Sequence, residues 1–262
     1  CYSSTSSIGG GLRNCIQLSE GSFIGGGCCN IISWGGGSPN FATILGGDYN
    51  MISGNGPFAS FIGGGRANCL GDCHAFIGGG FGNAMFNCSA FSAIGGGYAN
   101  IISMSKSVVF GGYRNKVSNT YNNAKNIPCL SVIIGGFQNC IESGHASAIG
   151  GGSSNVIYRQ DDQYLGLNAI VGGQQNNIGD VSTVCVHGNV IGGGADNVIL
   201  GNNMYYSTIG GGRFNCICSS ATINFISGGY NSNNGKYVNT AIVGYGINAY
   251  LSDTLFVNNL CT

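Results

Sequence analysis

Charged residues are scarce in this chain, and their scarcity excludes several classes of protein. Among 262 residues, 9 Lys and Arg balance 9 Asp and Glu, and charged residues make up only 7%. A disordered chain would carry more charge and fewer apolar residues. A protein that binds nucleic acid or an anionic membrane would carry a basic excess. We therefore expect a folded chain that binds no nucleic acid and no charged membrane surface.

Long apolar runs are also missing. No stretch approaches the roughly 20 apolar residues of a membrane-spanning helix, so no membrane insertion is expected. There are only 3 prolines, and the 50 glycines show no Gly-X-Y period, which excludes collagen.

The residue sets of common active sites are lacking as well. Glu20 and Glu142 are the only glutamates, and the acidic pair at 161–162 is more simply interpreted as a solvated loop than as a glycosidase pair. The triplet DCH at 72–74 holds adjacent side chains, whereas catalytic groups converge from different directions. No histidine has a partner at metal-ligand spacing. We expect no enzyme activity, no metal and no cofactor; glycan cleavage in a groove between chains stays an open alternative.

Glycine is what the chain has in excess, and it occurs in a repeat. The stretches SSIGGGLRNCI (6–16), SFIGGGRANCL (60–70) and STIGGGRFNCI (207–217) share one pattern, and weaker copies fill the gaps. We count 14 copies between Ser6 and Tyr250. With the motif isoleucine as position 0, glycine occupies +2 in every copy and asparagine +6 in all but one. Position +8 is Ile, Leu, Met or Val in 12 copies, and position −2 is Ser, Ala, Asn or Thr.

The spacing of the copies predicts the architecture. The 11-residue motif keeps its length, while successive motif isoleucines lie 15 to 24 residues apart. Helical repeats need about 33 residues and a helical apolar period, which is missing here. Two short strands per copy, around positions 0 and +8, would bury the isoleucines when copies stack about 4.8 Å apart.

We therefore predict an all-β solenoid of about 14 short coils. It forms one domain over residues 1–250, with an exit strand over 251–262 that leads toward a further module. The stretch WGGGSPN at 34–40 is predicted as a loop insertion that raises Trp34.

The asparagine and glycine columns predict structural roles. Stacked asparagines form amide ladders in stacked β-structures, and asparagine also tolerates the left-handed turn conformation. The ladder residues include Asn14, Asn30, Asn100, Asn155, Asn197 and Asn215. Glycine at +2 and +3 either takes a positive φ or lets another backbone come close. The structural glycines include Gly26, Gly27, Gly96, Gly97, Gly193 and Gly211. Turns alone would accept asparagine in some copies, yet glycine is nearly invariant and lies beside a −1 column that is often apolar. This combination predicts a subunit interface, for which a homotrimer is our preferred arrangement.

Aromatic and arginine residues supply candidates for receptor contact. Position +4 is aromatic in consecutive copies, at Phe81, Tyr98, Tyr113 and Phe137. A stacking ladder that strengthens the solenoid is the alternative interpretation of this column. The connecting segments add Trp34, Tyr121, Tyr158, Arg159 and Tyr164, since aromatics and arginine on loops over a rigid scaffold are typical of recognition surfaces.

The 13 cysteines are an odd number, so they cannot all pair within one chain. Several follow the motif asparagine, where a thiol serves as a small apolar side chain. Local or between-coil disulfides stay open for Cys28–Cys29, Cys69–Cys73 and Cys216–Cys218.

The unit S-x-I-G-G-G-x-x-N-x-I resembles the Gly-rich repeats of trimeric fibre proteins of tailed phages and large DNA viruses, from Ser6 to about Leu260. It also resembles, more loosely, the β-roll heads of trimeric autotransporter adhesins. The resemblance implies a left-handed β-roll or β-helix, intertwined or side by side in a homotrimer, on the virion surface. Its implied role is structural and adhesive, with a host or cell-surface glycan or protein as receptor.

The alternatives are a bacterial cell-surface adhesin head on the outer surface and a glycan-binding solenoid. An ice-binding solenoid would need a threonine-rich face, and no column is threonine-rich. A polyglycine-helix sandwich would need many long glycine runs, whereas these doublets lie between β-branched residues.

Overall fold

The computed structural model describes residues 5–37, 41–55, 58–86, 89–118, 130–142, 145–158, 166–179, 186–218, 222–235 and 237–258. These residues form a parallel β-solenoid of about 12 turns, and none of them lies in a helix. None of them lies in a helix long and apolar enough to cross a membrane. The chain divides into two compact units, Cys1–Ser118 with Pro128–Leu130, and Asn119–Ile127 with Ser131–Thr262.

The first unit contains two parallel sheets. In chain order, its strands are Ser7–Ile8 (β1), Cys15–Ile16 (β2), Phe23–Ile24 (β3), Ile31–Gly37 (β4), Thr43–Ile44 (β5), Met51–Asn55 (β6), Phe61–Ile62 (β7), Cys69–Leu70 (β8), Phe76–Ile77 (β9), Ala84–Met85 (β10), Ala93–Ile94 (β11), Ile101–Ser103 (β12), Val108–Val109 (β13) and Lys116–Ser118 (β14). The odd-numbered strands pair in order as the first sheet and carry position 0. The even-numbered strands pair in order as the second sheet and carry position +8.

The second unit repeats this arrangement. Its strands are Val132–Ile133 (β15), Cys140–Glu142 (β16), Ala148–Ile149 (β17), Val156–Tyr158 (β18), Ala169–Ile170 (β19), Asn177–Ile178 (β20), Val186–His187 (β21), Val190–Ile191 (β22), Val198–Leu200 (β23), Met204–Tyr205 (β24), Thr208–Ile209 (β25), Cys216–Cys218 (β26), Phe225–Ile226 (β27), Ala241–Val243 (β28) and Leu255–Val257 (β29). The first sheet of this unit runs β15-β17-β19-β22-β25-β27-β28-β29, and its second sheet runs β16-β18-β20-β23-β26. Strands β21 and β24 pair separately.

The register explains why a single column of isoleucines forms the core. Ile62 lies opposite Ile77 in the first sheet, and Ile52 lies opposite Leu70 in the second. All four are fully buried between the two sheets. Ile8, in the first coil, is 44% exposed, because coils on only one side of it pack against its side chain. Stacking like residue over like residue thus makes the core continuous through neighbouring coils.

The corners contain left-handed residues that are mostly not glycine. Positions +5 and −3 take φ near +55° in coil after coil, for example at Tyr49 (+54°), Ala99 (+52°) and Ile223 (+55°). A left-handed residue with a side chain costs roughly 1–2 kcal/mol. At +5 the turn is supported by a bond to the previous coil, since Ala99 N–H donates to the Phe81 carbonyl at 2.8 Å. The motif asparagine does not take this conformation; the residue before it does.

Three local details differ from the repeat pattern. The second sheet ends at β26, because the next two copies place Asn234 and Tyr250 at +8; this is why 14 copies give about 12 turns. The loop expected at 34–40 is wrong for residues 34–37, because the backbone continues β4 and pairs with β6 up to Asn55 across a register shift; residues 38–40 lie outside the described residues. Residues 255–257, within the expected exit strand, pair in register with β28.

Candidate interaction surfaces

The asparagine ladder fills one corner of the solenoid. The Asn100 side chain donates to Asn83 Oδ1 at 3.1 Å, to the Gly96 carbonyl at 2.9 Å and to the Gly112 carbonyl at 3.1 Å. Its own Oδ1 accepts the Asn115 backbone N–H at 3.0 Å. The same pattern of bonds recurs at the residues Asn14, Asn30, Asn155, Asn197 and Asn215. Each side chain therefore ties its own coil to both neighbours, except that of Asn14 in the first coil, which bonds only to the coil after it.

A second polar ladder at position −2 was not foreseen. Ser107 N–H donates to Ser92 Oγ at 3.0 Å in the first unit. In the second unit, Asn189 N–H donates to Asn168 Oδ1 at 3.0 Å, and Ser207 N–H donates to Asn189 Oδ1 at 2.9 Å. All of these residues are buried. The restriction of the −2 column mainly to oxygen-bearing side chains is the signal that could have revealed the ladder.

The glycines at +3 are required within a single chain. Gly27 and Gly97 have φ of +88° and +91°, which favours glycine. A Cβ at Gly97 would also collide with the carbonyl oxygen of Gly112 in the next coil. Both expected reasons for glycine, the positive φ and the close approach of another backbone, apply at this position.

The glycines at +2 are different. A Cβ on Gly26 would have no neighbour within 4 Å, and one on Gly96 would come no closer than 3.9 Å to Gly79. Neither residue takes a left-handed φ, whereas Gly193 and Gly211, at +152° and +158°, are among seven +2 glycines whose φ of +143° to +158° favours glycine. The fold of one chain therefore explains the +2 glycine in those seven copies but not in the other seven, which include Gly26 and Gly96.

Positions +1 and +2 together form a surface that we call the glycine ridge. Position +1 is glycine or an uncharged residue in every copy. Its large members stand out from the surface, with exposed fractions of 51% for Leu45, 62% for Phe110, 58% for Ile134 and 62% for Val171. The ridge is thus flat where both positions are glycine and, except at Ser227, apolar elsewhere.

The aromatic residues at +4 stack along a corner of the first unit. The rings of Phe81 and Tyr98 lie 5.1 Å apart and those of Tyr98 and Tyr113 lie 4.9 Å apart, nearly parallel in both pairs. The guanidinium of Arg66 covers Phe81 at 5.9 Å, and that of Arg114 lies 5.1 Å from the Tyr113 ring centre. A ligand can therefore reach the ring edges of this stack more easily than the ring faces. Receptor contact by these residues stays a prediction.

The other predicted contact residues are spread over the chain. Phe137 is 45% exposed, and Tyr158 is half-buried at the end of β18. The side chain of Trp34, and the residues Tyr121, Arg159 and Tyr164, lie outside the described residues.

In the DCH triplet at 72–74, Asp72 and His74 make contacts with a neighbouring coil. Asp72 accepts the backbone N–H groups of Cys73 at 3.0 Å and Ser89 at 2.6 Å. His74 stacks on Phe91 with ring centres 4.8 Å apart. Within the described ranges, no group of three or more His, Cys, Asp and Glu side chains is placed to hold a metal ion.

One of the three open cysteine pairs is a disulfide. Cys216 and Cys218 are bonded, whereas Cys28, Cys29, Cys69 and Cys73 are free thiols. Burial raises the pKa of Cys69. Burial and then the Asp72 carboxylate raise the pKa of Cys73, so neither thiol is activated.

No protein-family model matches this chain, and no curated protein matches it.

Proposed function

We propose that this chain is a structural segment of a surface fibre, in which three copies associate through their glycine ridges. The observation that carries the proposal is the +2 glycine, which is present in every copy although in seven of the 14 copies one chain alone does not need it. A column without side chains allows another backbone to come close. Association of copies gives that column a physical role.

The apolar residues of the ridge support the same arrangement. Phe110 and Leu45 are largely exposed in the single chain, and burying a side chain of this size is worth roughly 1.5–3 kcal/mol. In a parallel threefold assembly, equal positions of three chains meet at one level. Levels with Phe110 or Leu45 would then be apolar layers, separated by levels of glycine.

The surroundings of the ridge favour this surface over the corners. Positions −1, +1 and +2 contain no charged residue in any copy, whereas Arg66, Asp48 and Arg213 lie at +4. Two exposed ion pairs also lie at the corners, Arg66–Asp48 at 3.4 Å and Arg213–Asp196 at 3.5 Å. Burying a charge is costly, so an interface between copies forms more easily on the uncharged face.

The resemblance to viral fibres and adhesin heads suggests the role of such an assembly. It would be a left-handed solenoid at the virion surface, or at the outer surface of a bacterium, that holds receptor-binding corners and loops in three copies. Three weak contacts on one support act together and bind more tightly than each alone. The receptor would be a glycan or a protein of the host surface.

The test is the native mass of the purified chain by light scattering. A mass of three times 26.7 kDa supports the proposal, and a folded monomer refutes it. Phe110→Asp places a charge on the ridge and should give monomers at the concentration where the unmodified chain is trimeric. Phe91→Asp is the matched control, because Phe91 is 60% exposed and lies at −3, off the ridge.

Gly96→Ala is the sharper variant. The added methyl group meets nothing closer than 3.9 Å within the chain, so the circular dichroism spectrum and thermal stability should be retained. The methyl group would still separate two backbones that touch across the ridge. The variant should therefore be monomeric at protein concentrations at which the unmodified chain is still trimeric. A trimer that tolerates both Gly96→Ala and Phe110→Asp would show that the copies associate through another surface.

A further inference from the structure

Two adjacent thiols lie at the corner of the second coil. Cys28 and Cys29 occupy +4 and +5, and their Sγ atoms are 3.2 Å apart. Both residues are half-exposed free cysteines. Cys29 takes the left-handed conformation with φ of +56°, so the corner brings two consecutive side chains together.

The following coil completes the cluster. Tyr49 shares a hydrogen bond with the Cys29 thiol, which raises the pKa of Tyr49. The Asp48 carboxylate lies near Cys28 and pairs with Arg66 at 3.4 Å. The hydrogen bond to Cys29, followed by burial and the nearby Asp48, raises the pKa of Cys28. The Cys28 thiol is therefore protonated at neutral pH, and neither Cys28 nor Cys29 is part of a disulfide.

We propose that Cys28 and Cys29 form a reversible redox site, which a low-molecular-weight disulfide oxidises to a disulfide between the two adjacent residues. One thiolate attacks a sulfur of the oxidant, which gives a mixed disulfide and releases one small thiol. The second thiolate, 3.2 Å away, attacks the protein sulfur of that mixed disulfide and releases the second small thiol. Two protein thiols are oxidised, one small disulfide is reduced, and the two protons pass to the departing thiolates.

Adjacency makes this site easier to reduce than an ordinary disulfide. Consecutive Cα atoms are about 3.8 Å apart across a trans peptide, and no cis peptide bond occurs in the described residues. Disulfides usually join Cα atoms roughly 4.4 to 6.8 Å apart, so the ring is strained and reopens readily with excess thiol. The Cys216–Cys218 disulfide, with its Cα atoms 5.7 Å apart, lies within the usual range. The site is independent of self-association, since +4 and +5 are not part of the glycine ridge.

The test treats the reduced, folded chain with excess hydroxyethyl disulfide, alkylates the remaining thiols and digests with trypsin. The peptide 14–66 contains Cys15, Cys28 and Cys29. We expect one alkyl group on this peptide and the loss of two hydrogen atoms. Cys15→Ser should keep the hydrogen loss, whereas Cys28→Ser and Cys29→Ser should abolish it. A peptide with three alkyl groups, or a hydrogen loss that depends on Cys15, overturns the proposal.

A second probe needs no oxidation. Phenylarsine oxide condenses with two neighbouring thiols, with loss of water, and should protect this peptide from double alkylation at one arsenic per chain. Either serine variant should remove the protection, and Cys15→Ser should not. Lack of protection in the unmodified reduced chain would show that the two thiols do not act as a pair and would overturn the proposal.

Discussion

Replacing Asn100 by alanine tests whether the asparagine ladder holds neighbouring coils together. Asn100 is fully buried in the middle of the first unit, and its side chain bonds to the coils before and after it. Alanine removes these bonds and leaves a small cavity. The substitution changes no charge and no left-handed residue.

The structure gives the expected size of the effect. The Gly96 carbonyl loses its side-chain donor, and the backbone N–H of Asn115 loses its acceptor. The Gly112 carbonyl keeps the N–H of Tyr98 at 2.9 Å. Each buried polar group left without a partner costs about 1–3 kcal/mol, so the free energy of unfolding should fall by about 2–6 kcal/mol.

Urea unfolding and hydrogen exchange measure the effect, and Asn14→Ala is the matched control. Asn14 makes the same kinds of bond, to Gly10 at 2.8 Å and Gly27 at 3.0 Å, but it lies in the partly exposed first coil. Water can replace its bonds there, so we expect a loss of about 1 kcal/mol. Amides of residues 101–117 should exchange faster in Asn100→Ala. Equal losses of stability in the two variants would refute the idea that the buried ladder stabilises the solenoid.

Three further predictions address other columns. Gly97→Ala should lower the melting temperature strongly, because its Cβ would collide with the Gly112 carbonyl and its φ is +91°; a melting curve like that of the unmodified chain would contradict this. Ile223→Asn should raise the free energy of unfolding by about 1 kcal/mol, because Ile223 is a β-branched residue at φ +55° and is 62% exposed. An unchanged midpoint of urea unfolding would show that the corner is unstrained. The raised pKa of Cys28 keeps its thiol protonated at neutral pH, so oxidation of the Cys28–Cys29 pair should accelerate roughly tenfold per pH unit from pH 7 toward 9 as the thiolate fraction rises; a flat rate profile would rule out attack by the Cys28 thiolate as the slow step.

The sequence predicts the core and the asparagine ladder well, because stacking places identical residues on top of each other. A buried isoleucine at 0 and an amide at +6 meet the same environment in every coil, so their identity is kept. The end of the second sheet could also have been recognised, since Asn234 and Tyr250 are unsuited to a buried strand position.

The corners could not be predicted in the same way. Positions +5 and −3 are left-handed, yet they hold residues as different as Tyr49, Ala99, Phe214 and Ile223. The backbone hydrogen bond at each corner offsets a cost of roughly 1–2 kcal/mol, so many side chains are tolerated and no pattern results. The extension of β4 through Trp34 was missed for a related reason, because glycines that looked like a loop also suit a strand with a register shift.

The fixed length of the motif has a consequence for how such chains change size. Within each unit, a coil bonds to the coil before it and to the coil after it, and the asparagine ladder presents the same groups at either side. Duplicating one coil in the gene therefore inserts a unit that fits its new neighbours without further substitutions. When a coil is deleted, the two coils that flanked it fit each other in the same way. Each event changes the length of the stack by about 4.8 Å. A chain built of such coils can therefore become longer or shorter in equal steps.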